Sequence, residues 1–72
     1  MKYTKTQALL FIKDELFSNK FIVRQDIEST LEINDLTFHR YIEELRAYFS
    51  NFNLPYDVIY DRNKEIYRLK KE

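Results

Sequence analysis

The hydrophobic pattern of this chain changes its period once, at Pro55. Before that residue, apolar side chains recur every three or four positions, which is the spacing of one face of a helix. After it, apolar and polar residues alternate over two runs within about 56–70, separated by a polar turn at 61–64, as in a two-stranded β-hairpin. The sequence therefore predicts a small α+β fold in which helices precede a hairpin.

The first half of the chain predicts two helices. Helix one covers about 4–18 and begins with Thr4 and Gln7 in a capping box, where each side chain bonds the backbone N–H of the other residue. A short extended connector at 21–23 follows, and we expect it to pack inward. Helix two covers about 24–32, and its apolar residues share one face because they stand four positions apart.

Helix three, over about 35–52, has the strongest pattern in the chain. Asn34 is a good N-cap because its side-chain oxygen accepts a first-turn N–H, and Asp35 places a negative charge where the helix dipole favours it. The apolar residues follow at spacings of four, three, four and three, and we expect this stripe to form the core: Phe38, Ile42, Leu45, Phe49 and Phe52.

The hairpin has to turn without glycine, which the chain lacks altogether. Asn63 is the residue that we expect to take a positive φ there, since asparagine tolerates the left-handed region. We expect Tyr60 to pair with Glu65, a register that places Ile59 opposite Ile66 on the outer face. Such an apolar spot suits a dimer or domain contact, or a packing site for helix one.

Length and composition exclude several classes of protein. The 72 residues make a single domain, spanning 1–72, and 44% hydrophobic with 17% aromatic residues indicate a folded core rather than disorder. Cysteine is absent, and the lone His39 has no partner ligand, so we expect no metal. No nucleophile triad or glycine-rich phosphate loop is recognisable, so we expect no enzyme, no cofactor and no small-molecule substrate. The longest apolar run, 8–12, is far too short to span a bilayer, and we expect a cytoplasmic protein without a membrane partner.

The charges sum to zero but are unevenly distributed along the chain. Residues 1–22 carry four basic and two acidic side chains, for a charge of +2. Residues 23–47 carry three arginines against six carboxylates, for −3, and residues 56–72 carry five basic and four acidic side chains, for +1. Both ends are therefore mildly basic and the middle is acidic.

The chain also resembles a known family. Segments 23–27, 31–34 and 37–46, with the Tyr-x-Leu ending at 67–69, are similar to the winged helix-turn-helix of bacterial DeoR-type transcription regulators and of the N-terminal domains of WYL-domain regulators. The third segment matches the family pattern Thr-apolar-x-Arg-x-Ile-x-x-Leu-Arg, whereas the glycine of the family's turn is Glu32 here. The resemblance implies a three-helix bundle with a two-stranded wing, and a double-stranded DNA-binding module that acts in transcription regulation.

The resemblance also implies which residues contact DNA. In this fold the first half of helix three enters the major groove and the wing contacts the backbone. Arg40 would match guanine, Leu36 a thymine methyl and Thr37 a phosphate, with Asp35 in the same turn. The candidate DNA-binding residues are Arg24, Asn34, Leu36, Thr37, Arg40, Tyr41, Arg62 and Lys64.

Ordinary structural roles are also expected for three of these residues. Arg40 has carboxylates nearby on its own helix and is equally expected in solvated ion pairs. Leu36 is also expected at the edge of the core. Tyr41 is also expected to pack in the core with only its hydroxyl exposed to solvent.

The acidic middle of the chain favours a rival function, a winged-helix protein–protein interaction or dimerisation module that does not bind DNA. Beyond double-stranded DNA, we expect the partner to be a second copy of a small stand-alone protein or a further domain of a longer regulator.

Overall fold

The computed structural model describes residues 2–72 and shows a small α+β fold. Within that part of the chain, three helices are combined with an antiparallel sheet of three strands in the order β1-β3-β2, a layout compatible with a winged helix. The elements, in chain order, are α1 (Lys5–Asn19), β1 (Phe21–Ile22), α2 (Arg24–Leu31), α3 (Asp35–Asn51), β2 (Tyr56–Asp61) and β3 (Ile66–Lys71).

The capping box predicted for α1 is confirmed. The Gln7 backbone N–H donates to Thr4 Oγ1 at 3.1 Å, and the Thr4 N–H donates to Gln7 Oε1 at 3.2 Å. These bonds satisfy two N–H groups that the first turn of a helix otherwise leaves without partners. The helix ends at Lys20, which turns into the left-handed region at φ 73° and donates its N–H to the Leu16 carbonyl at 2.8 Å.

The turn between α2 and α3 is three residues long. Glu32 ends α2 with φ 55° and ψ 49°, a left-handed conformation that costs a residue with a Cβ about 1–2 kcal/mol. Asn34 then caps α3 as predicted, because its side-chain oxygen accepts the Thr37 N–H at 2.8 Å. The sharp turn and the cap together fix where the exposed face of α3 begins.

The core forms between the helices and the inner face of the sheet. Phe38 is completely buried, and the predicted stripe of α3 holds as far as Phe49. Phe52 departs from the prediction, since 67% of it is exposed. The helix has already ended, and at Asn53 the chain turns back with φ 54°, so the ring falls outside the stripe. The buried apolar residues are Ala8, Ile12, Leu16, Ile22, Ile27, Leu31, Phe38, Tyr41, Ile42, Leu45, Phe49 and Val58.

The sheet has one strand more than the predicted two-stranded hairpin. The connector forms β1, in which Phe21 pairs with Arg68 and Ile22 with Tyr67. Ile22 packs inward as expected, but Phe21 is exposed, because successive side chains of a strand point to opposite faces. The prediction that the whole connector packs inward is therefore wrong for Phe21.

The hairpin register differs from the prediction by two residues. Tyr60 pairs with Tyr67 rather than with Glu65, and Ile59 pairs with Arg68 rather than with Ile66. A shift by two residues leaves every side chain on its predicted face. The two isoleucines thus remain on the outer face, as diagonal rather than direct neighbours.

The turn chemistry explains the shift. Asp61 Oδ1 accepts the backbone N–H of Asn63 at 3.0 Å and that of Lys64 at 3.2 Å, which closes a four-residue loop. Glu65, rather than the predicted Asn63, takes the positive φ of 55° at the end of that loop. The loop has the predicted length of four residues but begins one residue later, at 62 instead of 61, so the first paired positions become Asp61 and Ile66.

Candidate nucleic-acid interface

The outward face of α3 borders an open groove of about 660 Å³. Leu36 is 59% exposed there, and Arg40, Glu43 and Ala47 follow it along the same exposed side of the helix. We call this surface the α3 groove, and it contains more of the candidate DNA-binding residues than any other groove described. Its lining residues are Lys5, Leu36, Thr37, His39, Arg40, Tyr41, Glu43, Glu44 and Ala47.

Four of the eight sequence candidates therefore lie in one groove, but they are not equivalent. Leu36 and Arg40 are exposed and Thr37 is half-buried. Tyr41 is only 4% exposed and belongs to the core, in line with its ordinary structural role. A fifth candidate, Asn34, directly precedes this helix and uses its side-chain oxygen to cap α3.

Arg24 lies at the junction of α2 and α3. Its Nη1 is 2.8 Å from Glu28 Oε2 and 3.3 Å from Asp35 Oδ1, so it links the two helices. The hydrogen bond to Glu28 raises the pKa of the Arg24 guanidinium, since it favours the charged form. The guanidinium of Arg24 therefore already forms intramolecular ion pairs, which the sequence did not predict.

His39 connects α3 to the sheet. Its Nδ1 lies 2.9 Å from the Asp35 carbonyl oxygen, and its Nε2 lies 3.0 Å from the Tyr67 hydroxyl. A carbonyl oxygen only accepts, so Nδ1 carries a proton, and in the neutral ring Nε2 accepts from Tyr67. Burial raises the pKa of the Tyr67 hydroxyl above its usual value, which keeps that donor protonated. Sequence reasoning missed this link, because nothing local relates His39 to a tyrosine on a distant strand.

Most carboxylates of the acidic middle block have cationic partners. Of its six carboxylates, five lie within 4.0 Å of a cation in the described part of the chain, and only Asp26 does not. The pairs and their N–O distances are Arg24–Glu28 2.8 Å, Arg24–Asp35 3.3 Å, Lys5–Glu44 3.2 Å, Arg46–Glu43 3.3 Å and Lys2–Glu32 3.9 Å. Two of these cations, Lys2 and Lys5, come from the basic start of the chain, so folding reduces the charge separation seen in the sequence.

Arg40 differs from the other two arginines of that block. Arg24 and Arg46 are held in ion pairs, whereas Arg40 has neither an ion pair nor a hydrogen bond to any group in residues 2–72. Its guanidinium stands exposed beside Leu36 and Thr37 in the α3 groove. It is the free cation on this face of the described molecule.

The hairpin candidates lie apart from the α3 groove but on a connected surface. Arg62 and Lys64 are exposed in the loop between β2 and β3, and neither has an ion pair within residues 2–72. Tyr60 lines both the hollow beside Arg24 and the shallow depression beside Arg62. Arg24 and Arg62 therefore border two hollows that share Tyr60.

Within residues 2–72, no group of three or more potential ligands is placed to hold a metal ion, and no helix is long and apolar enough to cross a membrane. Comparison of the chain with protein-family models, with curated proteins and with solved structures found no match.

Proposed function

We propose that this chain is a double-stranded DNA-binding module, of the winged helix-turn-helix type, of a cytoplasmic bacterial-type transcription regulator. In this proposal α3 lies in the major groove and the β2–β3 hairpin lies along the sugar–phosphate backbone. The module binds DNA and carries out no reaction. The observation that carries the proposal is the exposed and unpaired guanidinium of Arg40 on the outward face of α3.

The position of Arg40 suits base recognition. It stands in the second turn of α3, in the half of a recognition helix that approaches base edges. A guanidinium matches O6 and N7 of guanine with two parallel hydrogen bonds, and an arginine without an intramolecular partner loses no ion pair on binding. The neighbouring side chain of Leu36 supplies an exposed apolar surface for a thymine methyl group.

The ion pairs weaken the electrostatic objection to this function. Repulsion between phosphates and the acidic block is reduced where each carboxylate is already beside a cation, as Glu44 is beside Lys5. The hairpin then adds the unpaired charges of Arg62 and Lys64, which suit phosphates. Unlike the family, the chain turns at the end of α2 with Glu32 in the left-handed conformation that glycine adopts easily.

A second function has one observation in its favour. Leu36 and Ala47 expose apolar surface in a groove that is rimmed by Glu43 and Glu44. Lys5 and Arg40 line the same groove, so an apolar floor with charges of both signs at its border suits an amphipathic helix that carries charges of both signs along its edges. Under this alternative the α3 groove binds a protein partner instead of DNA.

Fluorescence anisotropy with a labelled, mixed-sequence duplex at low ionic strength separates the two functions. DNA binding predicts an affinity that falls steeply with salt, because bound counterions are released from the phosphates. Replacing both hairpin cations, in R62Q/K64Q, should reduce the slope of log K against log salt by about 2. The matched control K70Q removes a cation that is also exposed and unpaired within residues 2–72, at the far end of the hairpin, and should leave the slope unchanged.

Selection from a random duplex pool then tests Arg40. The wild-type protein should enrich a sequence motif, and R40A should lose preference at one position, a discrimination worth about 1–3 kcal/mol. A shared loss of all affinity in R40A and K70Q would contradict base recognition. If no duplex binds even at low salt, the proposal fails and the protein-partner alternative is favoured.

A further inference from the structure

A second groove, of about 380 Å³, lies between α1 and α3; it shares Glu44 with the α3 groove but is not lined by Arg40. Leu10 is 55% exposed on its α1 side, and Tyr48 is exposed on its α3 side. The ring of Phe52 lies against Tyr48 with centroids 5.2 Å apart and extends the apolar surface. We call this surface the α1–α3 groove; its lining residues are Thr6, Leu9, Leu10, Lys13, Glu44, Leu45 and Tyr48.

The groove concentrates exposed apolar side chains that neither fold nor DNA contact explains. Of the six large hydrophobic residues that are exposed in the described chain, three belong to this one surface: Leu10, Tyr48 and Phe52. Single exposed hydrophobic residues are ordinary, whereas a contiguous group with a polar border is typical of an interaction site. The α1–α3 groove therefore has the character of an interface.

Charged side chains stand at both ends of this groove. At one end Glu44 is 3.2 Å from Lys5, near the start of α1. Further along α1, Phe17 lies beside Phe49 with ring centroids 6.1 Å apart, so the two helices run along the groove in the same sense. Lys13 stands toward that second end, 5.3 Å over the Phe17 ring, with no carboxylate partner in residues 2–72.

We propose that the α1–α3 groove binds a second copy of this chain about a two-fold axis. In such an interface each copy contributes the same surface, with its direction reversed relative to the other. The reversal brings Lys13 of one copy to the Lys5–Glu44 pair of the other at both ends of the contact, where the Glu44 side chain is half exposed and its carboxylate can accept from a second cation. Leu10, Tyr48 and Phe52 of the two copies cover one another between these pairs, and the formal net charge of zero leaves no overall repulsion to oppose association.

This inference is tested separately from DNA binding, because the assay differs and Glu44 is the one lining residue that the two grooves share. Sedimentation equilibrium over a wide range of protein concentration should show a monomer–dimer equilibrium. L10K removes an exposed leucine twice per dimer and should weaken dimerisation about a hundredfold. The matched control L36K changes a leucine of nearly equal exposure, 59%, in the other groove and should leave dimerisation unchanged.

A charge exchange tests the orientation of the two copies. K13E alone and E44K alone should each weaken the dimer, since each places like charges together. The combined variant K13E/E44K should restore dimerisation, because the charge pairs re-form in reverse. A wild-type protein that is monomeric at every concentration overturns the proposal. Equal effects of L10K and L36K, or no recovery in the combined variant, would also overturn it, because the contact would then involve another surface or another orientation.

Discussion

Truncation of Phe38 tests whether α3 is anchored as the structure describes. The side chain is 0% exposed, and its ring meets that of Tyr67 edge-on with centroids 5.1 Å apart, so it joins the helix to the sheet. Replacing a buried phenylalanine by alanine costs about 3–5 kcal/mol. The whole free energy of unfolding of a domain this size is about 4–11 kcal/mol, at about 0.05–0.15 kcal/mol per residue. F38A should therefore lose about a quarter or more of the stability.

Urea unfolding followed by far-ultraviolet circular dichroism measures this loss. F38A should unfold at a much lower urea concentration than the wild-type protein, or be unfolded without urea. The control L36A, two residues earlier on the exposed face, should change the free energy of unfolding by no more than about 0.5 kcal/mol. A midpoint for F38A equal to that of L36A would refute the assignment of the two faces of α3.

Three further changes address the caps, the turn and the sheet. N34A removes the acceptor of the Thr37 N–H and should cost about 1 kcal/mol, seen as a melting temperature about 4–8 °C lower; an unchanged melting temperature would argue against the cap. E32G removes the steric strain of a residue with a Cβ held at φ 55° and should raise the free energy of unfolding by up to about 1 kcal/mol, once the extra conformational entropy of glycine in the unfolded chain is subtracted. A destabilised variant would show that Glu32 is not strained. Burial raises the pKa of the Tyr67 hydroxyl above its usual 10.0. The stability that the protonated hydroxyl contributes should therefore be complete below pH 10 and decline as the pH rises through the raised pKa. Urea midpoints measured across that pH range should show this decline for the wild-type protein but not for Y67F.

The features that depend on neighbouring residues could be predicted well from the sequence. Thr4 and Gln7 form a capping box and Asn34 caps α3, because both interactions join residues three positions apart. The stripe of α3 is buried from Phe38 to Phe49, since the period of a helix alone decides which side chains share a face. The alternation after Pro55 likewise identified both strands and their inner faces.

The candidate site was predictable only in part. Helix periodicity places Leu36 and Arg40 on the side of α3 opposite to the stripe, and both are exposed. The same periodicity cannot decide which carboxylates will find a cation on another element, and so it left open whether Arg40 or Arg24 would be paired. The link from His39 to Tyr67 had no local signal at all, because those two residues meet only when α3 packs on the sheet.

The sequence by itself determined the helices, their caps and the inward faces of the strands, since each follows from spacings of two to four residues. Only the tertiary structure decided the third strand, in which Phe21 meets Arg68 from far along the chain, and the hairpin register that the Asp61 carboxylate shifted. It also decided the charge of the α3 surface, where Lys5 neutralises Glu44 and no carboxylate reaches Arg40. Such pairings depend on distances between elements, and these distances are set by how the whole core packs.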